Sequence, residues 1–198
     1  MNLIIDIGNT QTKAAVFSSR KLTAYKIFKG EIDIPGLKKF LIGKEQINSA
    51  ILSSVINHSP ELNKYLTSKY DFIELNEKTK LPVKNSYKTP KTLGKDRLAN
   101  ATGANYLFPN KNVLCVDAGT CIKYDFINSE NEYLGGAISP GLDMRFKALH
   151  DFTAQLPLIR KKFTGIDKTK FGLLFGKGLI GQSTRDSILS GVQSGVAF

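Results

Sequence analysis

Asp6-Ile7-Gly8-Asn9-Thr10 follows the apolar run Leu3-Ile4-Ile5, and Asp117-Ala118-Gly119-Thr120 follows the apolar run Val113-Leu114-Cys115-Val116. The two strings begin 111 residues apart. Each has the same order: an apolar strand ending in a carboxylate, turn residues, then a second strand-like stretch. That second stretch runs from Lys13 to Phe17 in the first copy and from Cys121 to Ile127 in the other. Self-similarity of this kind changes the expected fold as a whole. It predicts two similar halves, with a boundary near Pro109 to Asn112, taken as 1–111 and 112–198.

The turn chemistry suits an anion. Gly8 and Gly119 allow tight backbone geometry and close approach of a ligand. Successive turn amides form a concave nest. Thr10 and Thr120 add hydroxyls, Asn9 adds an amide, and Lys13 on the next strand reaches toward phosphate. A carboxylate beside phosphate is repelled unless a cation lies between, so Asp6 and Asp117 imply metal ions or water bridges, with hard oxygen ligands suiting magnesium or a monovalent cation. One Asp-x-Gly-x-Thr string is weak, because Asp and Gly are common at hairpin turns. Two copies at strand ends are far more specific. The arrangement resembles the superfamily of actin, Hsp70 and sugar kinases, in which two such hairpins grip nucleotide phosphates. The resemblance implies an α/β chain with two structurally similar lobes of the actin-like (ribonuclease H-like) ATPase fold, each a mixed sheet with helices.

Other elements read in order. Leu22 to Phe28 alternates as a third strand. Leu37, Phe40 and Leu41 recur at helical spacing, Ala50 to Val55 is a buried strand, and Pro60 to Lys69 is a helix opened by proline. Phe72 to Leu75 is a short strand, and the polar stretch from Lys78 to Lys91 is a long, functional loop. A helix runs from Asp96 to Leu107 and stops at Pro109. Tyr133 to Ile138 is a strand leading through Pro140-Gly141 into a helix to about Gln155, and a last helix begins near Ser183. The string from Gly176 to Ser183 approaches a P-loop but has Gln182 where the phosphate-reaching lysine belongs.

Gly94-Lys95-Asp96-Arg97 lies where the long loop meets a helix. A kinase needs a group to position or deprotonate the attacking hydroxyl and a cation for anionic substrate groups. Asp96 and Arg97 supply both. Asp96 near a helix start also serves as a cap, and the local sequence leaves both roles open.

The segment Tyr87-Lys88-Thr89-Pro90-Lys91-Thr92-Leu93-Gly94-Lys95-Asp96-Arg97 resembles the Tyr-x-x-Pro-x-x-Leu-Gly-x-Asp-Arg signature of type III pantothenate kinases. Gly135-Gly136-Ala137-Ile138-Ser139-Pro140-Gly141 is similar to that family's Gly-Gly-x-Ile-x-Pro-Gly. Thr153-Ala154-Gln155-Leu156-Pro157 and Ser183-Thr184 with Ser190-Gly191 resemble later segments. The resemblance implies that Asp6, Ile7, Gly8, Asn9, Thr10, Gln11, Thr12 and Lys13 form the first ATP loop, with Asp6 near Mg²⁺ and Thr120 also contacting ATP. It implies that Tyr87, Gly94, Lys95, Asp96, Arg97 and Thr184 hold pantothenate. Asp96 is then the proton acceptor, and Asp117 binds K⁺ or NH₄⁺. It further implies a homodimer, with a strand, a glycine-rich turn and a helix beyond the Ser190-Gly191 helix; a cytoplasmic location is expected separately, from an N-terminus that makes a poor signal peptide. Against that pattern the second lobe reads as truncated at Phe198; only a naturally short protein would then be expected to bind nucleotide weakly or to lack activity. Another small-molecule kinase of the same fold and a non-catalytic regulator are the competing readings.

Composition agrees. With 41% apolar residues among 198, the chain can bury a core. Its apolar runs are too short to span a bilayer, and the N-terminus lacks the basic region of a signal peptide. The net charge of +11 is spread over scattered lysines, which reads as a solvated basic surface rather than a nucleic-acid site. Cys115 and Cys121 fit no zinc spacing and read as free thiols. Asp125 and Glu132 read as surface charges on a hairpin, and His58 and His150 as surface or capping residues. Asp143 and Arg145, after Pro140-Gly141, are left open: a helix cap for Asp143, and for Arg145 a dimer partner or a substrate carboxylate as one option among others.

Overall fold

In the computed structural model, residues 1–44, 46–159 and 180–197 are described. By proximity the chain divides into two compact units, residues 1–115 with 124–136 and residues 116–123 with 137–198. The described residues have the expected α/β character.

The first unit is built on β1 (Asn2–Ile7), β2 (Gln11–Ser18), β3 (Lys21–Lys29), β4 (Ser49–Ser54) and β5 (Asp71–Glu74), with α1 (Ile34–Leu41) and α2 (Pro60–Lys69) between them. The sheet order is β3-β2-β1-β4-β5. β1 runs antiparallel to β2 and parallel to β4, so the sheet is mixed. The period-2 alternation of β1 sends Leu3, Ile5 and Ile7 inward, each fully buried with Ala14, Val16 and Leu52. Leu37 and Phe40 of α1 and Leu62 and Leu66 of α2 complete that core. Asp33 caps α1 by accepting from Gly36 N at 2.7 Å. Ser59 caps α2 ahead of Pro60, whose missing N–H costs nothing at a first helical position.

The second sheet has the order β6-β9-β8-β7, formed by β6 (Lys84–Asn85), β7 (Val113–Ala118), β8 (Cys121–Ile127) and β9 (Glu132–Pro140). Each of β7, β8 and β9 passes from one unit into the other. In the first unit, α3 (Lys95–Leu107) sets Leu98, Ala101 and Ala104 against Ile127 and Tyr133. In the second unit, α4 (Leu142–Asp151) and α5 (Thr184–Ala197) bring Phe146, Ile188 and Val192 together.

The long loop is more ordered than its composition suggests. Its β6 pairs in parallel with β9, and Pro90–Thr92 forms a 3₁₀ turn. Among the described residues no helix is long and apolar enough to cross a membrane.

Candidate active site

The first turn hangs from the central strand of the first sheet. Gly8 N donates to Gln11 O at 3.0 Å, leaving Asn9 and Thr10 exposed at the tip. Neither Gly8 nor Gly119 has a positive φ, so the tight geometry expected of these glycines is not their reason. A Cβ at Gly8 would stand 3.2 Å from Gln11 O, and one at Gly119 would meet only ordinary contact at 3.9 Å. Space therefore favours glycine at position 8, where the Gln11 carbonyl would have to give way, and not at position 119.

Alternation divides the residues of the first loop. Ile7 and Thr12 are cross-strand partners, both fully buried. The Thr12 hydroxyl donates to Gly30 O at 2.7 Å, and its backbone is paired with Ile7 on one side and Phe28 on the other. Asp6 pairs in register with Lys13 on β2 and with Ser53 on β4. No motif in the sequence marks Ser53. Its hydroxyl is buried and has no hydrogen-bond partner among the described residues. Such orphans are rare in native proteins. A hydrated Mg²⁺ carried in with phosphate fits this set of one carboxylate and one unserved hydroxyl. Among the described residues there is no group of three His, Cys, Asp or Glu able to hold a metal alone.

The second turn is tighter, with Gly119 N donating to Cys121 O at 3.0 Å. The Thr120 carbonyl accepts from Gly141 N at 3.1 Å. Asp117 closes β7, and Lys123 Nζ on β8 lies 2.7 Å from its Oδ2. That ammonium already balances the carboxylate, so the residues present do not fit an added monovalent cation at the same oxygen.

The Asp96 centre stands at the start of α3. Gly94 is its N-cap residue, without a side-chain cap bond. Asp96 Oδ1 accepts from Arg97 N at 2.9 Å and sits in the first turn, where the helix dipole favours negative charge. A Cβ at Gly94 would lie 2.5 Å from Asp96 Oδ1, so the glycine leaves room for the carboxylate.

Arg97 turns the other way. It is 4% exposed, and its Nε and Nη2 lie 2.8 and 2.7 Å from Asp125 Oδ1. The Tyr133 hydroxyl donates to the same oxygen at 2.7 Å. Asp125, expected at the surface, is therefore fully buried: it shares the inward side of β8 with Ile127. Burial works against the Arg97 charge, and the hydrogen bond and charge of Asp125 outweigh it, raising the guanidinium above its ordinary value. Burial first, then the bond to Asp125, raise the Tyr133 hydroxyl well above the tyrosine range, so it stays a donor.

This buried cluster carries Tyr87. Its ring stacks on Tyr133 at 6.1 Å between centroids, with the Arg97 guanidinium 5.8 Å away. Tyr87 N donates to Asn85 Oδ1 at 3.0 Å, and Ser86 N to Tyr133 O at 3.0 Å, tying the loop to β9. Gly135, at φ 109°, admits the ring, since a Cβ there would lie 3.2 Å from Tyr87 Cδ2. Lys95 pairs with Glu77 at 3.4 Å.

Thr184 is the exposed first residue of α5, next to the helix cap made by Ser183, whose Oγ accepts from Asp186 N at 3.1 Å. Arg145, left open by the sequence, is engaged within its own unit. It donates to Pro140 O, Gly195 O and Ser139 Oγ and braces the second unit from within. His58 is half-buried, its side chain 8% exposed, with Nε2 2.9 Å from Asn63 Oδ1. Of the P-loop-like string, residues 176–179 lie outside the described residues.

Residues 2–198 match the family described as Type III pantothenate kinase. A type III pantothenate kinase of Christiangramia forsetii is 44% identical over 196 residues, 99% of this chain and 76% of that protein. One from Phocaeicola vulgatus is 42% identical over 200 residues, 100% of this chain and 76% of that protein. Among solved structures, a putative 2-dehydro-3-deoxygalactonokinase from Sinorhizobium meliloti aligns over 100% of this chain and 79% of that one, at 12% identity and a TM-score of 0.49. Because the family match runs through both turns and the Tyr87 to Arg97 segment alike, the chain belongs to the type III pantothenate kinase family.

Proposed function

We propose that this chain transfers the γ-phosphoryl group of ATP to the primary hydroxyl of pantothenate, giving 4′-phosphopantothenate and ADP, the first step toward coenzyme A. The observation that carries the reading is the setting of Asp96: a half-buried carboxylate in the first turn of α3, with room kept by Gly94 and its neighbour Arg97 anchored inward.

Asp96 takes the hydroxyl proton as the oxygen attacks the γ-phosphorus and the bond to the β-phosphate oxygen breaks. Tyr87, Gly94, Lys95 and Arg97 shape the pantothenate side, with Arg97 acting through the position it gives Tyr87 and α3. Thr184 is assigned to pantothenate on resemblance. Residues 6–13 and Thr120 take the ATP phosphates, chiefly through turn amides and hydroxyls. Mg²⁺ near Asp6, when bound, neutralises phosphate charge. At Asp117 the reading asks for one positive charge beside the second turn, the role the resemblance gives to K⁺ or NH₄⁺. The halves 1–111 and 112–198 are the two copies of the repeat, and a cytoplasmic homodimer completes the reading.

The test is Asp96→Asn. Removing a positioned base typically costs about 10²–10⁴-fold in rate. We expect pantothenate-dependent ADP release to fall at least about a hundredfold, with ATP affinity by calorimetry close to wild type. Unchanged turnover would remove Asp96 as the base.

A further inference from the structure

The expected K⁺ or NH₄⁺ at Asp117 meets a side chain already in place. Lys123 Nζ lies 2.7 Å from Asp117 Oδ2, and the lysine side chain is only 17% exposed against 37% for the carboxylate. The pair flanks the turn that carries Thr120, on the two strands of one hairpin. An ammonium carries the same single charge as K⁺, and on a lysine it is a compact point charge with three donors. We propose that Lys123 is a tethered monovalent cation: its ammonium supplies, beside the second turn, the charge that a free K⁺ or NH₄⁺ would otherwise bring, so that turnover needs no added ion. The inference rests on the kinase reading above.

The physical difference between a tethered and a free cation is one of concentration. A free ion binds only as far as its concentration allows, whereas a side chain on the neighbouring strand is present at a fixed, high effective concentration. An ordinary cross-strand ion pair contributes little to stability and has no bearing on which salts an enzyme needs. Salt specificity therefore separates this role from a merely structural pair.

The experiment measures pantothenate-dependent ADP release with Mg-ATP in choline chloride, KCl or NH₄Cl at equal ionic strength. It uses the wild-type chain, Lys123→Ala and Lys123→Arg. Wild-type rates are expected to agree within about twofold across the three salts. For Lys123→Ala we expect about a tenfold or greater loss in choline, the order of removing one charge-stabilising group. KCl or NH₄Cl should restore most of it. Lys123→Arg, which keeps the charge, should stay insensitive to the salt even if slower.

A wild-type rate that rises tenfold or more with KCl, on the scale of one charge-stabilising contact, overturns the inference. So does a folded Lys123→Ala that is equally active in choline, or one that neither K⁺ nor NH₄⁺ rescues. If Lys123→Ala does not fold, the wild-type and Lys123→Arg arms decide. A wild-type chain silent in every salt overturns the kinase reading itself and the inference with it.

Discussion

The two Asp-x-Gly turns are held by the same bond for different reasons. In the first, the Thr10 carbonyl accepts from Gly30 N at 3.2 Å; in the second, the Thr120 carbonyl accepts from Gly141 N at 3.1 Å. Gly30 follows β3 and Gly141 follows β9. The duplication therefore extends through a third strand to its closing glycine, again 111 residues apart. At Gly30 the backbone is left-handed, φ 71°, and a Cβ would meet nothing within 4 Å. At Gly141 φ is an ordinary −69°, but a Cβ would lie 2.4 Å from both Gly119 O and Thr120 O. One glycine is required by conformation and the other by space. The comparison teaches that a repeat can preserve a hydrogen bond while the constraint enforcing it changes, and that an identical residue does not imply an identical role.

Substitution at Gly141 should separate the two most sharply. Gly141→Ala must displace turn backbone rather than a flexible side chain. The cost is about 2–3 kcal/mol, the upper range for overpacking, and the KM for ATP should rise about tenfold or more as the turn amides move. Thermal melting and initial rates measure both; wild-type values would break the claim that the second turn is braced by close packing.

The two threonines should give opposite phenotypes. Thr12→Val leaves Gly30 O without its donor and costs about 1–3 kcal/mol, with little change in the KM for ATP. Thr120→Val, at an exposed tip, should melt like wild type, while the KM for ATP rises several-fold. Swapped results would reverse the assignment of hydroxyls to fold and to ligand.

The smallest effect belongs to Gly30. Gly30→Ala meets only left-handed strain, about 1–2 kcal/mol, and Gly30→Asn should recover part of it because asparagine tolerates that conformation. ATP kinetics should not change. A loss of Gly30→Ala as large as that of Gly141→Ala would erase the distinction.

Periodicity and punctuation made most of the scaffold legible. The α2 helix runs from Pro60 to Lys69 as its proline and caps indicate, and the β1 and β7 strands end at their aspartates within a residue. The helix after Gly141 stops at Asp151 rather than near Gln155. There Thr153 Oγ1 donates to Leu149 O, and His150 Nδ1 meets Leu156 O at 2.8 Å, side-chain bonds that compete with continued helix. The two-residue β6 was hidden because its pairing is decided by a partner strand about fifty residues away in sequence and not by local pattern.

The site was legible as motifs, not as partnerships. Asp96 and Tyr87 were identifiable in the sequence. The partner of Arg97 was not, because Asp125 lies 28 residues downstream and looks like any strand carboxylate until its side of β8 is known. The same holds for Lys123 against Asp117. The buried Ser53 hydroxyl carried no motif at all.

The most direct test of the account is ADP release by the wild-type chain with Mg-ATP, measured with and without pantothenate. Release should depend on pantothenate, with 4′-phosphopantothenate formed in equal amount to ADP. ADP release indifferent to pantothenate, or none above background, would contradict it.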